Sequence, residues 1–438
     1  MSLAVVLTVV AGLAGLASAR APRLTLGTVC IGAVSATLFA LATAKVGADR
    51  SFLFKIFLLA VLVRVTLAVT SYHMLPYGFF APDELGYTGI GNDLASSGLP
   101  DPASVVRAAW GWYYLNAVLS YFFAQDAELL ARLWNCGVGG LVPILCYRLA
   151  NSLGGSAAGR VAAILTAFCP SLVLWSSLNL KDTDTQVLLL AIILLSLSLQ
   201  RSWRFGYLLL MAPMLVLLAS LRQYLLIPLL AAILVSQLVV RRDVLANLSV
   251  VVIIGGLLVV PLTLSLPNLA EWSPRLTNVE NVNAFRTGFA SGAGSVYLSD
   301  TSFTSPLQLV AFLPSGLLFF FLGPFPWNSG SLLQQIATPE MLAYYALLPF
   351  MTIGLRRAIS RHPSQVIPLL TFSAIVAVSY SLTLTNFGTL LRFRDQLLLI
   401  MLCFAGIGLR GHARRQRAAP AEPRMAQLLA GAGSSSLR

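Results

Sequence analysis

The run VLLLAIILLSLSL, residues 187–199, has no charged side chain, and its only polar residues are two serines. A second run, VVVIIGGLLVVPLTLSL at residues 250–266, is also free of charge. A helix that crosses the hydrocarbon core of a bilayer needs about 20 mainly apolar residues. Over the whole chain 57% of the residues are hydrophobic and 10% are charged, whereas soluble domains carry about 25% charged residues. The sequence therefore excludes a soluble globular protein.

The spacing of the apolar runs predicts an all-α, polytopic transmembrane bundle of about 11 to 13 membrane helices with small extracytoplasmic loops. Residues 1–411 are expected to form the multispanning domain. Residues 412–438, basic and then rich in Ala, Pro, Gly and Ser, are expected to be a disordered cytoplasmic tail. The candidate helices are Leu3–Ser18, Leu26–Ala44, Phe52–Tyr72, Leu133–Ala150, Ala157–Ser177, Thr185–Gln200, Phe205–Ser220, Tyr224–Val240, Leu248–Leu266, Leu307–Leu322, Met341–Leu355, Val366–Leu384 and Gln396–Leu409.

The formal net charge of +13 would suggest nucleic-acid binding in a soluble protein. Here most Arg and Lys residues lie in short loops between apolar runs, the pattern in which basic loops stay cytoplasmic. We therefore expect the lipid bilayer, and no nucleic acid, as a partner. Placing basic loops such as 201–204 and 241–242 in the cytoplasm puts Lys181-Asp182, Arg222 and Asn386–Asp395 on the external face.

Three polar stretches interrupt the apolar pattern, and the third is the short stretch Asn386–Asp395. The other two are expected to be the large external loops. The first, residues 73–109, holds a large share of the few acids, and the second, residues 268–305, is rich in Asn, Ser, Gly and Thr. Residues 73–109 lie on the external face if Trp110–Ala124 does not cross the bilayer, or if another assignment shifts. Trp110–Ala124 has about 15 residues, which is short for a span.

The segment FAPDELGY, residues 80–87, is the most distinctive local feature. Pro82 favours a helix start, and Asp83 and Glu84 would occupy the first turn, where they complement the helix dipole. That structural role accounts for both acids without chemistry. Alternatively, a carboxylate at the membrane surface beside a dry groove can take a proton from a sugar hydroxyl or bind a metal. Asp83 and Tyr87 are four residues apart and share one helix face.

A series of short motifs runs through residues 52–200. Its members are Asp83-Glu84, Tyr87, Ser97-Gly98, Arg132, Asn135, Gly154-Gly155, Pro170 and Lys181-Asp182. This order resembles the GT-C glycosyltransferases, multispanning enzymes that use polyprenyl-phosphate sugars. The resemblance is nearest to bacterial relatives of protein O-mannosyltransferases (glycosyltransferase family 39) and of the lipid A aminoarabinose transferase. Two extra helices before the first external loop leave the subfamily open.

The resemblance implies a GT-C-like bundle in the bacterial inner (plasma) membrane. It also implies transfer of a hexose or pentose from a polyprenyl-phosphate donor to a glycan, lipid or protein acceptor of the cell envelope, with inversion. The first-loop acid of the family points to Asp83 as the general base. Glu84 would then be a neighbour of that base or a metal ligand, which leaves a divalent metal cofactor open.

A phosphate leaving group needs positive charge where its negative charge develops. Arg suits that role through its forked donors, and Lys acts as a point charge. Snorkelling at the interface or contact with lipid headgroups explains the same basic residues without a substrate. Asp182 is either a second acid of the site or the ion-pair partner of Lys181. The predicted substrate-binding residues are Tyr87, Lys181, Asp182, Arg222, Arg392 and Arg394.

Three other classes fit the same composition. A polysaccharide polymerase or ligase would depend on Arg in external loops more than on an Asp. A transporter or flippase of a lipid-linked saccharide often has internal repeats and interrupted helices at mid-membrane. A non-catalytic subunit of an envelope complex is the third.

Overall fold

The computed structural model describes residues 22–44, 46–100, 109–239, 255, 279–327 and 330–418. The candidate helix Leu3–Ser18, nearly all of Leu248–Leu266 and the tail beyond residue 418 lie outside these residues. The described residues form α-helices joined by turns and contain no strand. The all-α prediction is therefore confirmed for this part of the chain.

Sixteen α-helices are numbered here along the described chain. The first eight are α1 (Pro22–Thr43), α2 (Arg50–Met74), α3 (Asp83–Ser96), α4 (Trp110–Phe123), α5 (Ala127–Gly139), α6 (Val142–Gly154), α7 (Ser156–Ala167) and α8 (Pro170–Trp175). The other eight are α9 (Asp182–Arg201), α10 (Phe205–Arg222), α11 (Leu226–Leu238), α12 (Val279–Ala290), α13 (Pro306–Leu322), α14 (Leu332–Arg361), α15 (Pro363–Thr383) and α16 (Phe387–Ala418). Helix α16 continues past His412, where the tail was expected to begin.

Seven helical segments of the described chain are long and apolar enough to cross a membrane. The protein is thus a multi-pass α-helical membrane protein. The number is below the expected 11 to 13 or so partly because α7 and α13 are shorter than a full span. Two of the expected helices also lie outside the described residues. In addition, Phe205–Leu238 counts as one continuous helical segment that contains α10 and α11. The sequence predicted two separate membrane helices there.

The end of α2 and the start of α5 lie at the same membrane face. Arg132, in the second turn of α5, donates through Nη1 to Ser71 Oγ in the last turn of α2 at 3.1 Å. Helices α3 and α4 lie between these points in the sequence, so together they make no net crossing. Helix α4 has 14 residues, about 21 Å of helix, which is too short to span alone. The chain therefore places Asp83 at this face, which we call the Asp83 face.

Close packing of α14 against α16 positions the start of α16. A side chain at Gly354 would overlap the backbone of Phe404, and one at Gly408 would overlap the backbone of Phe350. Small residues at such crossings let membrane helices approach closely, because packing rather than the hydrophobic effect holds them together in lipid. The rigid pair presents Arg392 and Arg394, in the first turns of α16, to the Asp83 face.

Candidate active site

A cavity of about 490 Å³ opens between α3, α10, α11, α12, α15 and α16. Ligand pockets in proteins have volumes of about 300–1,000 Å³, so this cavity is large enough for a substrate. Five of the eight site residues predicted from the sequence line it: Asp83, Tyr87, Lys181, Arg222 and Arg392. Glu84, Asp182 and Arg394 do not.

A chain of ion pairs beside the cavity runs from the half-exposed Asp83 to the buried Arg222. Arg392 donates through Nη1 to Asp83 Oδ2 at 2.7 Å and through Nη2 to Asp182 Oδ2 at 3.0 Å. Arg222 donates to the other oxygen of Asp182. Asp182 is 2% exposed, so it lies beneath the lining and holds both guanidinium groups in place. One carboxylate thus sets the separation of two cations that face the cavity.

Lys181 is the third cation of the lining, and it forms no ion pair with any described residue. Its Nζ lies 5.7 Å from the centre of the Tyr87 ring. Asp182, the partner considered from the sequence, binds the two arginines instead. Burial lowers the pKa of Lys181 to about 7, and repulsion from Arg222 acts in the same direction. Lys181 can therefore change its charge near neutral pH.

Aromatic rings form one wall beside the cations. The Arg222 guanidinium lies 4.2 Å from the centre of the Phe393 ring and also donates to the Tyr224 hydroxyl. The rings of Tyr380 and Phe393 are 5.0 Å apart. Such faces stabilise guanidinium groups. Tyr224, Tyr380 and Phe393 were not predicted from the sequence, because aromatic residues occur throughout this chain and these three follow no motif.

The remaining wall is apolar and reaches the surface of the bundle. It includes Ile227 and Pro228 from α11 and Ile375 and Val376 from α15. Ile227 is 50% exposed, and it lies on a segment that is long and apolar enough to cross a membrane. This side of the cavity therefore opens toward the space that lipid occupies.

The described part of the second polar loop covers the cavity. Helix α12 contributes Phe285 and Phe289 to the lining. Between them, Arg286 is buried and donates to the carbonyls of Thr301 and Leu382, each at 3.2 Å. Arg286 therefore fixes the loop to the end of α15 through backbone contacts, and its role in the free protein is structural.

Glu84 lies behind the cavity in a buried ion pair. Arg132 donates through Nε to Glu84 Oε1 at 3.0 Å and through Nη2 to Oε2 at 2.9 Å. The backbone N–H of Asn179 also donates to Oε1 at 2.7 Å. Both carboxylate oxygens are thus bound by protein donors, which anchors α3 to α5 and to the loop before Lys181. This geometry leaves Glu84 no access to a substrate in the cavity.

Arg394 is likewise turned away from the cavity. It donates through Nη1 to the carbonyl of Gly323 at 2.6 Å, and its guanidinium lies 5.2 Å from the ring of Tyr344. The adjacent Asp395 accepts a hydrogen bond from Ser171 at 3.0 Å and forms an ion pair with neither Arg392 nor Arg394. Arg394 therefore joins α16 to α13 and α14.

No family model matches this sequence. A search of curated proteins finds no match either. In the part of the chain that the structure describes, no group of three or more His, Cys, Asp or Glu side chains is placed to hold a metal ion. The lining of the cavity combines one carboxylate, three cations, an aromatic wall and an apolar wall.

Proposed function

We propose that this protein is a membrane glycosyltransferase of the GT-C type. It would transfer a sugar, with inversion, from a polyprenyl-phosphate donor to a glycan, lipid or protein acceptor of the bacterial envelope. The observation that carries the proposal is the composition of a single cavity. A half-exposed carboxylate, Asp83, shares it with three cations and with a wall open to lipid.

The three cations suit a phosphate leaving group. Lys181, Arg222 and Arg392 face one space, and Asp182 uses only one N–H group of each arginine. Each guanidinium has five N–H donors, and the Nε groups of both arginines are buried without a partner. Because these Nε groups are buried, an anion in the cavity would accept from the remaining Nη donors of Arg222 and Arg392.

The reaction needs one proton acceptor and one stabilised leaving group. The acceptor hydroxyl oxygen attacks the anomeric carbon, and Asp83 takes the hydroxyl proton. The bond from the anomeric carbon to the phosphate oxygen breaks, and its electron pair stays with that oxygen. Arg222, Arg392 and the protonated form of Lys181 balance the new charge.

The pairing of Asp83 with Arg392 in the free protein gives the donor a second role. A phosphate that binds Arg392 competes with Asp83 for the same Nη1 donor. Asp83 is 51% exposed, so its side chain has room to move away from Arg392. Donor binding would then free the carboxylate to accept a proton from the second substrate.

The walls of the cavity fit the other parts of the donor. Ile227, Pro228, Ile375 and Val376 offer a hydrocarbon surface at the bilayer side, which suits a prenyl chain. The aromatic residues Tyr224, Tyr380 and Phe393 line the same cavity, and the Phe393 ring packs against Arg222. The cavity thus offers apolar groups for the prenyl chain, cations for the phosphate and a carboxylate for the acceptor hydroxyl.

Replacement of Asp83 tests the proposal. Asp83→Asn removes the base and keeps the size of the side chain, and we expect transfer to fall by about 10²–10⁴-fold. The assay is transfer of labelled sugar from a set of polyprenyl-phosphate donors by the protein reconstituted in liposomes. The donor and acceptor would be identified by mass spectrometry of lipid-linked sugars and envelope glycans with and without the protein.

Asp93→Asn is the matched control, because Asp93 is an exposed acid of α3 outside the cavity. Full transfer by Asp83→Asn would exclude the proposed base.

The two arginines of the cavity also favour a second candidate, a polysaccharide polymerase or ligase that handles polyprenyl diphosphates. In that case Arg222→Ala and Arg392→Ala would abolish activity while Asp83→Ala would retain it. A transporter or flippase would instead move lipid-linked saccharide across reconstituted vesicles without forming a new glycosidic bond.

A further inference from the structure

A second cavity lies at the other end of α9. Helix α9 begins at Asp182, beneath the first cavity, and ends at Arg201, which lines the second. Its 20 residues correspond to about 30 Å, the thickness of the hydrocarbon core. The second cavity is therefore at the opposite membrane face, at the level of lipid headgroups. Its volume is about 190 Å³.

Helices α6 and α9 build this pocket with side chains spaced about one turn apart. Such spacing places the residues of each helix on one face, and the two faces meet at the pocket. From α6 the lining residues include Tyr147, Arg148 and Asn151, and from α9 they include Leu194, Leu197 and Arg201.

The pocket contains two arginines and no acid among its lining residues. The acid associated with this region is Asp49, and it is already bound. Tyr147 donates to Asp49 Oδ2 at 2.5 Å, and Arg160 donates through Nε to Oδ1 at 3.0 Å. The positive charges of Arg148 and Arg201 therefore have no counter-ion from the described residues.

Both arginines also keep donors that the protein does not use. Arg148 donates through Nη1 to the carbonyl of Ala42 at 3.2 Å, and Arg201 donates through Nη2 to Gln365 Oε1 at 2.9 Å. Each guanidinium has five N–H groups, so most of them remain available. Asn151 adds a side-chain amide to the same pocket.

We propose that this pocket binds a phosphate group, independently of the glycosyltransferase cavity. A fork of N–H donors matches phosphate oxygens, and a basic pocket between membrane helices suits an anionic headgroup. The volume is below the range of about 300–1,000 Å³ typical of whole small-molecule ligands, so the pocket takes a headgroup rather than an entire lipid. Leu194 and Leu197 line the same pocket and offer contact to the start of an acyl chain.

Lipid titration of the full-length protein in a neutral detergent tests this proposal. Native mass spectrometry would measure binding of phosphatidylglycerol, with phosphatidylcholine as the zwitterionic comparison. An arginine near a membrane surface contributes about 1 kcal/mol to anionic lipid binding. We therefore expect Arg148→Gln and Arg201→Gln each to weaken phosphatidylglycerol binding about fivefold, and the double variant about 25-fold.

Competition by inorganic phosphate is a second experiment. If inorganic phosphate competes at equal phosphate concentration, the ligand is soluble phosphate, and if it does not, the ligand is a lipid headgroup.

Arg204→Gln is the matched control, because Arg204 is an exposed arginine near the same end of α9 that does not line the pocket. It should leave lipid binding unchanged. The thermal unfolding temperature of each variant, measured without lipid, shows whether the protein is folded. The rise in that temperature on adding phosphatidylglycerol reports binding a second time. Equal loss in Arg204→Gln, unchanged binding in the double variant, or equal binding of phosphatidylcholine would overturn the proposal.

Discussion

Arg392 donates a 2.7 Å hydrogen bond to Asp83 across 309 positions of sequence. The contact joins the first turn of α3 to the first turns of α16 at the mouth of the cavity. The Asp83 side chain is 51% exposed, and the Arg392 side chain is 11% exposed. The pair therefore lies at the boundary between water and the protein interior, where an ion pair is weak enough to exchange partners.

The first prediction concerns the strength of this contact. Exposed ion pairs contribute about 0–1 kcal/mol to stability, because water screens the charges. In a double-mutant cycle of Asp83→Asn and Arg392→Gln, we expect a coupling below about 1 kcal/mol in the free energy of unfolding. Urea unfolding in detergent measures it. A coupling of 3 kcal/mol or more would resemble a buried pair and would contradict partner exchange by Asp83.

The second prediction separates Glu84 from Asp83. Glu84 is fully buried against Arg132, and breaking a buried pair costs about 3–5 kcal/mol because one charge stays uncompensated. Glu84→Gln should therefore lower stability by that amount, while the folded fraction keeps its transfer rate. Thermal unfolding and specific activity per folded protein measure the two effects. Glu128→Gln is the control, because Glu128 is a partly buried acid outside the cavity. A stable Glu84→Gln variant without activity would instead assign Glu84 a catalytic role.

The fold class follows from the sequence because apolar runs of helical length are a local property. The run at residues 187–199 lies within α9, Asp182–Arg201, as its composition predicts. The position of α4 could not be decided in this way. It depends on the contact between Ser71 and Arg132, which relates residues far apart in sequence.

Six of the eight predicted site residues form three close pairs, and the structure divides each pair; the other two, Tyr87 and Arg222, line the cavity. Asp83, Lys181 and Arg392 line the cavity, whereas their neighbours do not. Successive residues of a helix point about 100° apart because a turn has 3.6 residues, so one member of a close pair can line a cavity while the other packs against a neighbouring helix. The sequence identifies the charged turn but not which of its members faces the ligand. The buried members are Glu84, Asp182 and Arg394.

The third prediction concerns Asp182, which holds Arg222 and Arg392 together. Asp182→Asn removes the negative charge between two cations, so we expect a loss of stability of about 3–5 kcal/mol. An anionic ligand can replace part of that charge. A short prenyl phosphate should therefore raise the unfolding temperature of Asp182→Asn more than that of the unchanged protein, as a ligand that binds the folded state stabilises it. Asp93→Asn, with an exposed acid on α3, should behave like the unchanged protein. An equal or smaller rise in Asp182→Asn would show that the phosphate binds elsewhere.

The fourth prediction concerns the pH dependence of donor binding. The pKa of Lys181 is lowered to about 7 in the free protein by burial, from an ordinary value near 10.4. At pH 8.5 the side chain is therefore mostly neutral, and at pH 6 it is mostly charged. An anion in the cavity favours the charged form, so binding takes up a proton above pH 7. The charged fraction of Lys181 is about 30 times larger at pH 6 than at pH 8.5, so the donor should bind more tightly at pH 6, by up to about 30-fold.

A prenyl phosphodiester of a sugar is the suitable probe, since a phosphodiester keeps a single negative charge across this range. Isothermal titration calorimetry in two buffers of different ionisation enthalpy would measure both the affinity and the proton uptake. Lys181→Met should bind about equally at both pH values and take up no proton, because the titrating amine is absent. The change in affinity with pH should persist in Asp93→Asn. If Lys181→Met kept the full pH dependence, the titrating group would be another residue, and Lys181 would not contact the phosphate.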